Sequence, residues 1–306
     1  MSLMSSIRQS FKKSSESIKL MPIEETFDIY FSRFFGYYFA LLSKWLRLTP
    51  NQVSLASLVA GLFSGYLFYF QDSPMLILWA CFFITLSGVL DSADGQLARM
   101  TGQSSDIGRK IDAIIDTFVF VACYIGGSLY FLQTDYGWWI IPLAALGGYF
   151  HSAKSAAYEY YKTEFIYYVK QAKDHRIPYV NEVERTSGKS GLWYTVLYYL
   201  EIDYIRKQAM FHGRYKANRE QFEMYAFGSS SEKFRELYTQ INEPIMTWWA
   251  LVCGTNTHRT VLMLTSLFGR MDIYFIFAIV TVIPMFPIVM KQQKLDDELL
   301  SKMATD

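Results

Sequence analysis

Four aspartates fall within one short stretch: Asp91, Asp94, Asp112 and Asp116. Asp91 and Asp94 stand three residues apart, Asp112 and Asp116 four apart. On helices, each spacing puts both carboxylates on one face. A short polar turn separates the pairs, so two antiparallel helices can oppose those faces and gather all four carboxylates at one depth. Four such charges repel strongly at low dielectric and need a partner. A pair of divalent cations answers that need, and hard oxygen donors select Mg²⁺ or Mn²⁺. Mg²⁺ completes its shell with phosphate oxygens and water, so the implied substrate carries a pyrophosphate.

The residues between the aspartates fit that ligand. Gly95 allows close approach to the backbone, and Ala98 leaves space one turn further on. Arg99 can form charge-assisted hydrogen bonds to phosphate. Gly108 permits close contact with a second helix or a ligand. A lone aspartate at a helix end is usually a cap, and Asp72 and Asp106 are read that way. Two intramembrane aspartates would suit a proton relay or an ion-pair scaffold. Four at these spacings, with Gly, Ala and Arg among them, fit neither.

The elements that hold these residues are apolar. The 306 residues are 52% hydrophobic, 18% aromatic and only 19% charged, which suits several bilayer spans and not a soluble domain. Net charge is +1, so no nucleic-acid partner is expected. Cys81, Cys123 and Cys253 are odd in number, lack metal-like spacing, and read as apolar-environment residues without a disulfide framework. The basic, Ser-rich N-terminus has no apolar core with a cleavage site, so no secretory signal is expected.

Runs of about 20 apolar residues mark six candidate spans, near 51–70, 75–98, 107–132, 137–158, 247–268 and 272–290. The fifth is weakest, interrupted by GTNTHRT. Lys and Arg alternate with the spans. Seven precede the first, none lies in QDSPM, and Arg99, Arg109 and Lys110 flank the second turn. None lies in QTDYG, 14 lie in 154–245, only Arg270 follows the fifth span, and three lysines end the chain. This bias puts the termini, the long segment and the aspartates on the cytoplasmic side. Trp138, Trp139, Trp248 and Trp249 fall near span ends, as interfacial aromatics do.

The expected fold is all-α and polytopic, with about six transmembrane helices. Residues 1–21 form a basic cytoplasmic N-terminus and 22–48 an interfacial amphipathic helix, with a seventh span as its alternative. Spans one to four occupy 49–158, a cytoplasmic helical insertion 159–245, spans five and six 246–290, and a tail 291–306.

The run from Asp91 through Asp94, Gly95, Ala98, Arg99, Gly108 and Asp112 to Asp116 resembles the signature of the CDP-alcohol phosphatidyltransferases, class I, of the phosphatidylinositol-phosphate and phosphatidylglycerophosphate synthase kind. All eight fixed positions and every gap agree. The resemblance implies transfer of a phosphatidyl group from a CDP-linked lipid donor to a polar alcohol, releasing CMP, with two Mg²⁺ or Mn²⁺ ions. It implies that Asp91, Asp94, Asp112 and Asp116 hold the metals and that Asp116 is also the general base. Gly95, Ala98, Arg99 and Ser105 would contact the CDP moiety. TPNQVSLAS resembles the family's element at the start of the first span, bringing Ser54 and Ser57 toward the nucleotide. The family further implies an integral protein of the bacterial cytoplasmic membrane, facing the cytoplasm, and a homodimer. The insertion departs from the compact members.

HSAKSAAYEYY and THRT resemble basic elements of the family's acceptor pocket, which nominates Lys154 and Arg259, with Arg109 a further cation. An anionic acceptor such as inositol phosphate or glycerol phosphate follows, with inositol, another neutral polyol or serine the alternatives. Each cation has a plainer reading as a snorkelling anchor. Alternative functions are a CDP-choline or CDP-ethanolamine phosphotransferase with a lipid alcohol acceptor, an intramembrane prenyltransferase, and a divalent-cation transporter. Arg99 disfavours the transporter, because a cation beside the metals favours phosphate over a permeating ion.

Overall fold

The computed structural model describes residues 23, 25, 27–103, 106–186, 191–210 and 215–305. Among the described residues all regular structure is helical. The contacts divide the chain into two units, Met1–Tyr149 with His258–Ile279, and Phe150–Thr257 with Val280–Asp306.

In the first unit, a π-helical turn Asp28–Ser32 leads into α1 (Arg33–Trp45). Then come α2 (Pro50–Leu67), α3 (Pro74–Thr101), α4 (Asp106–Phe131) and the start of α5 (Ile140–Val169). Most of α10 (Thr255–Leu267) and α11 (Met271–Val280) complete it. The sequence TPNQ sets the start of α2. Thr49 accepts from the Gln52 N–H, Gln52 accepts from the Thr49 N–H, and Pro50 takes the first position, where no N–H is needed. α3 stops at Gly102, whose φ of 68° is the left-handed conformation that closes helices.

α2 turns small and hydroxyl side chains inward: Ser54, Ser57, Gly61, Ser64 and Gly65 are buried. Leu55, Val59, Leu62, Phe63 and Tyr66 face outward. Small residues inside and large apolar ones outside is the reverse of a water-soluble helix and suits helices packed in lipid. The serines stitch α2 to α3 in antiparallel register. Ser57 donates to the Ser87 carbonyl at 2.8 Å, Ser87 to the Ser57 carbonyl at 2.9 Å, and Ser64 to the Ala80 carbonyl at 2.8 Å. α4 runs parallel to α2, close enough that a Cβ at Gly126 would stand 2.0 Å from the Gly65 carbonyl oxygen. α1 lays Gly36, Ala40 and Ser43 inward and leaves Phe35, Tyr38, Leu41, Leu42 and Trp45 exposed.

Asp72 does not cap α3. Ser73 precedes that helix without a side-chain cap, and the Asp72 carboxylate accepts from the Tyr130 hydroxyl instead. The Asp106 side chain lies outside the described residues. Cys81, Cys123 and Cys253 are free.

The second unit holds the rest of α5, then α6 (Val180–Thr186), α7 (Leu192–Met210), α8 (Tyr215–Ala226), α9 (Ser231–Cys253) and α12 (Val282–Ala304). Its core is aromatic. Tyr168 packs against Phe222, Phe234 and Tyr238, and Trp249 stacks on Tyr161 at 4.6 Å between centroids. Gln292 of α12 accepts from the Trp249 indole and donates to Asn242 at 2.6 Å, tying α12 to α9. Buried Arg219 donates to the Ile177 carbonyl and sits 3.7 Å from both Glu164 and Glu223.

Among the described residues three helical stretches are long and apolar enough to cross a membrane: Pro74–Thr101, Ile114–Phe131 and Met271–Ala304. The expected fifth span is broken where GTNTHRT interrupts it, with α9 ending at Cys253 and Gly254 extended before α10. The sixth is interrupted at Thr281, the one turn residue that separates α11 from α12. Pro284 has no N–H to return to the Val280 carbonyl, and as the third residue of α12 it needs none.

Candidate active site

Asp91, Asp94, Gly95, Ala98 and Arg99 share the C-terminal part of α3, whose opposite face is fixed first. Gln96, fully buried, donates to the Arg33 carbonyl of α1 at 3.0 Å and to Ser92 at 3.3 Å. Gly36 of α1 lets that contact close, since a Cβ there would stand 3.0 Å from the Ser92 hydroxyl. With Ser92 and Gln96 committed to α1, the helix period turns Asp91, Asp94 and Gly95 elsewhere.

Asp94 is 3% exposed, and its Oδ2 accepts from the Ser54 hydroxyl of α2 at 2.5 Å. Asp91 and Asp116 are half-buried. Beside them Gly95 is open: a Cβ there would meet only Arg99 Nη1, at 3.5 Å. The exposed Arg99 side chain thus reaches back over the Gly95 backbone. α4 is helical from Asp106, so residues 112 and 116 lie one turn apart on it. Ser105 lies outside the described residues, as do the side chains of Asp112, Gly108 and Arg109. Among the described residues no group of three His, Cys, Asp or Glu side chains is close enough to hold a metal.

The donor chemistry nonetheless fits a hard divalent ion. Asp94 is a carboxylate with oxygen donors of the kind a hard divalent ion takes, buried in an apolar bundle. It lies one turn from a second carboxylate, beside an open glycine and a guanidinium suited to phosphate.

Arg259 of α10 joins this region from a direction the sequence did not reveal. Its guanidinium, 7% exposed, lies against Gly88 of α3, one turn before Asp91. Ser54, expected near the nucleotide, has its hydroxyl on Asp94. Ser57 has its hydroxyl in the clasp with Ser87. Lys154 belongs to the second unit, where it is fully buried and donates to Thr281. Gly88, Gln96 and Ser87 escaped sequence reading, because a lone glycine, amide or hydroxyl in an apolar run carries no spacing signal.

These helices and this aspartate arrangement define an integral membrane protein, and residues 47–158 match the family model described as CDP-alcohol phosphatidyltransferase. The matched region begins just before α2 and takes in the whole aspartate segment.

Among its curated relatives, archaetidylinositol phosphate synthase of Pyrococcus horikoshii is 32% identical over 84 residues, 28% of this chain and 43% of that protein. Phosphatidylinositol phosphate synthase of Corynebacterium glutamicum is 33% identical over 96 residues, 31% and 38% of the two chains. CDP-diacylglycerol–serine O-phosphatidyltransferase of Helicobacter pylori is 33% identical over 75 residues, 24% and 30%. The matched region spans less than half the length of each of these relatives. No solved structure matches the chain.

Proposed function

We propose that this protein transfers the phosphatidyl group of a CDP-linked lipid to a polar alcohol and releases CMP. The observation that carries the reading is Asp94, a buried carboxylate one turn from Asp91 and beside the open backbone at Gly95. Asp91, Asp94, Asp112 and Asp116 would hold two Mg²⁺ or Mn²⁺ ions. When bound, such ions neutralise a pyrophosphate and stabilise the departing nucleotide. Gly95 and Ala98 leave room for the nucleotide's phosphates, and Arg99 donates to them. Asp116 takes the proton of the acceptor hydroxyl as its oxygen attacks the phosphatidyl phosphorus and the bond to CMP breaks.

The acceptor is read as anionic, of the inositol phosphate or glycerol phosphate kind. Support comes from Arg259, a buried guanidinium held one turn from Asp91. Two of the relatives above are named for inositol phosphate products and one for serine. Six spans, an interfacial α1 and a cytoplasm-facing site complete the reading. The outward aromatic and aliphatic face of α1 suits a leaflet surface.

The test is CMP release by purified protein given Mn²⁺, CDP-diacylglycerol and a panel of acceptors: inositol phosphate, glycerol phosphate, inositol and serine. CMP with one of the phosphorylated alcohols supports the reading. No CMP with any acceptor, and none with CDP-choline plus diacylglycerol, sinks it.

A further inference from the structure

We propose that Gln96 is a positioning residue that passes the seating of α1 on a lipid leaflet to the aspartate end of α3. The proposal rests on reading that end of α3 as the catalytic segment. Gln96 is fully buried, and its Nε2 donates to the Arg33 carbonyl of α1 at 3.0 Å and to the Ser92 hydroxyl at 3.3 Å. As the first residue of α1, Arg33 has its carbonyl in the helix ladder and does not depend on this donor. The Gln96 Oε1 is buried and has no hydrogen-bond partner among the described residues. An unsatisfied buried acceptor lowers stability, and an apolar side chain of the same length would pack without that cost. What the amide adds is direction: it fixes where the first turn of α1 stands along α3.

α1 meets α3 on the turns that carry the site. Ala40 packs with Ala93 and Leu97, and a Cβ at Gly36 would stand 3.0 Å from the Ser92 hydroxyl and 3.1 Å from Gln96 Nε2. Asp91, Asp94 and Gly95 belong to the same turns of α3. A shift of α1 therefore acts on the backbone that aims the carboxylates. The outer face of α1 fits a lipid leaflet. Phe35, Tyr38, Leu41, Leu42 and Trp45 are exposed along it, and the exposed Lys44 and Arg47 at its end suit anionic headgroups. α1 ends at Trp45 and α2 begins at Pro50, with its own large apolar side chains turned outward, so the lipid-facing surface resumes directly after α1 in the chain. Seated on that leaflet, α1 is a fixed reference, and Gln96 registers α3 against it. A misplacement of about 1 Å can cost about 100-fold in rate, so one directed bond between these helices matters to turnover.

The experiment measures CMP release by the purified full chain in nanodiscs of phosphatidylcholine and phosphatidic acid, with Mn²⁺, CDP-diacylglycerol and the best acceptor of the panel above. Gln96→Met keeps the length of the side chain and removes the amide. Leu42→Glu puts a charge on the leaflet face of α1. Each should lower kcat about 10- to 100-fold, with KM near native and melting like the native chain. The double variant should lose no more than the larger single loss, because both changes cut one link. Ser64→Ala removes a buried bond between α2 and α3, to the Ala80 carbonyl, and should keep native kcat. Near-native kcat in Gln96→Met, an equal loss in Ser64→Ala, or losses that multiply in the double variant overturn the proposal. So does a Leu42→Glu loss that is recovered at high protein concentration, which would put a second copy of the chain on that face. If Gln96→Met does not fold, Gly36→Ala replaces it, since its methyl would crowd Gln96 Nε2, and full kcat there refutes the coupling. A native chain that releases no CMP with any acceptor overturns the functional reading itself, and this proposal with it.

Discussion

The Arg259 guanidinium fills the space that a side chain at Gly88 would occupy. A Cβ built there would stand 2.1 Å from Nη1 and 2.7 Å from Cζ. Gly88 and Asp91 are three residues apart on α3 and share a face, so the glycine admits a buried cation beside the first aspartate.

Gly88→Ala should therefore damage acceptor use more than folding. The new methyl forces the end of a flexible side chain to move, which is cheaper than moving backbone, yet Arg259 is buried and its charge leaves its place. A lost charge-assisted hydrogen bond is worth about 1.5–3 kcal/mol. The expected result is a KM for a phosphorylated acceptor raised about 10- to 100-fold, with CDP-lipid binding unchanged. Steady-state kinetics with varied acceptor, beside a binding titration with CDP-diacylglycerol, checks it. An unchanged acceptor KM would detach Arg259 from the acceptor.

Two other glycines should separate stability from function. A Cβ at Gly126 would stand 2.0 Å from the Gly65 carbonyl oxygen, and one at Gly65 would stand 2.6 Å from Ala122 backbone. Backbone cannot step aside, so α2 and α4 must part. Gly126→Ala should destabilise the chain by about 1–3 kcal/mol, the usual cost of overpacking, seen as a lower Tm. Gly95→Ala meets nothing nearer than 3.5 Å. It should melt like the native chain yet bind the CDP-lipid more weakly, because the methyl stands in the ligand's approach. Equal Tm losses in both variants would mean that Gly95 serves packing only.

Asp116→Asn tests the base. Asn keeps the size and polarity of Asp116 but takes no proton at neutral pH. General-base catalysis is typically worth about 10²- to 10⁴-fold. Turnover should fall within that range while the variant still retains CDP-diacylglycerol. Near-native turnover removes Asp116 from the base role.

Much of this was legible in the sequence, for definite reasons. Aspartates at helical spacing in an apolar run have few purposes, so the segment from Asp91 to Asp116 stood out in the sequence as the candidate site. TPNQ announced a helix start, because a Thr cap, a first-position Pro and a reciprocating Gln act locally. What lay hidden were contacts between distant parts of the chain. Ser54 meets Asp94 across 40 positions. Nothing in either residue's neighbourhood says whether that hydroxyl faces a nucleotide or a carboxylate. Gly88 meets Arg259 through tertiary packing alone. Asp72 looked like a cap because it precedes a helix, but Tyr130, 58 residues away, claims its carboxylate. The break at Thr281 was local and was missed, since hydropathy runs through it unchanged and only the later Pro284 marks it.

Stability of the second unit should depend on pH through Glu164. Glu164 lies on α5 beyond the expected fourth span and is 3% exposed. Burial pushes its carboxyl up from 4.5 to about 7, although the Arg219 guanidinium beside it pulls the other way. Between those values the folded chain holds a proton that the unfolded chain has released, so rising pH favours unfolding. The stabilisation is complete below about 4.5, is lost as pH rises through about 7, and changes no further above that. Each pH unit in that window costs up to about 1.4 kcal/mol. Glu182 has the opposite sign: Arg176 grips it through two bonds, at 2.9 and 3.3 Å, and holds its carboxyl below the usual range. Its contribution is lost only as pH falls through that lowered value, outside the window of Glu164. The native chain in detergent should lose Tm as pH rises from about 5 to about 7.5, and Glu164→Gln, fixed in the protonated shape, should flatten that fall. Parallel Tm curves for the two proteins would show that Glu164 keeps one charge state throughout, and that Arg219 outweighs its burial.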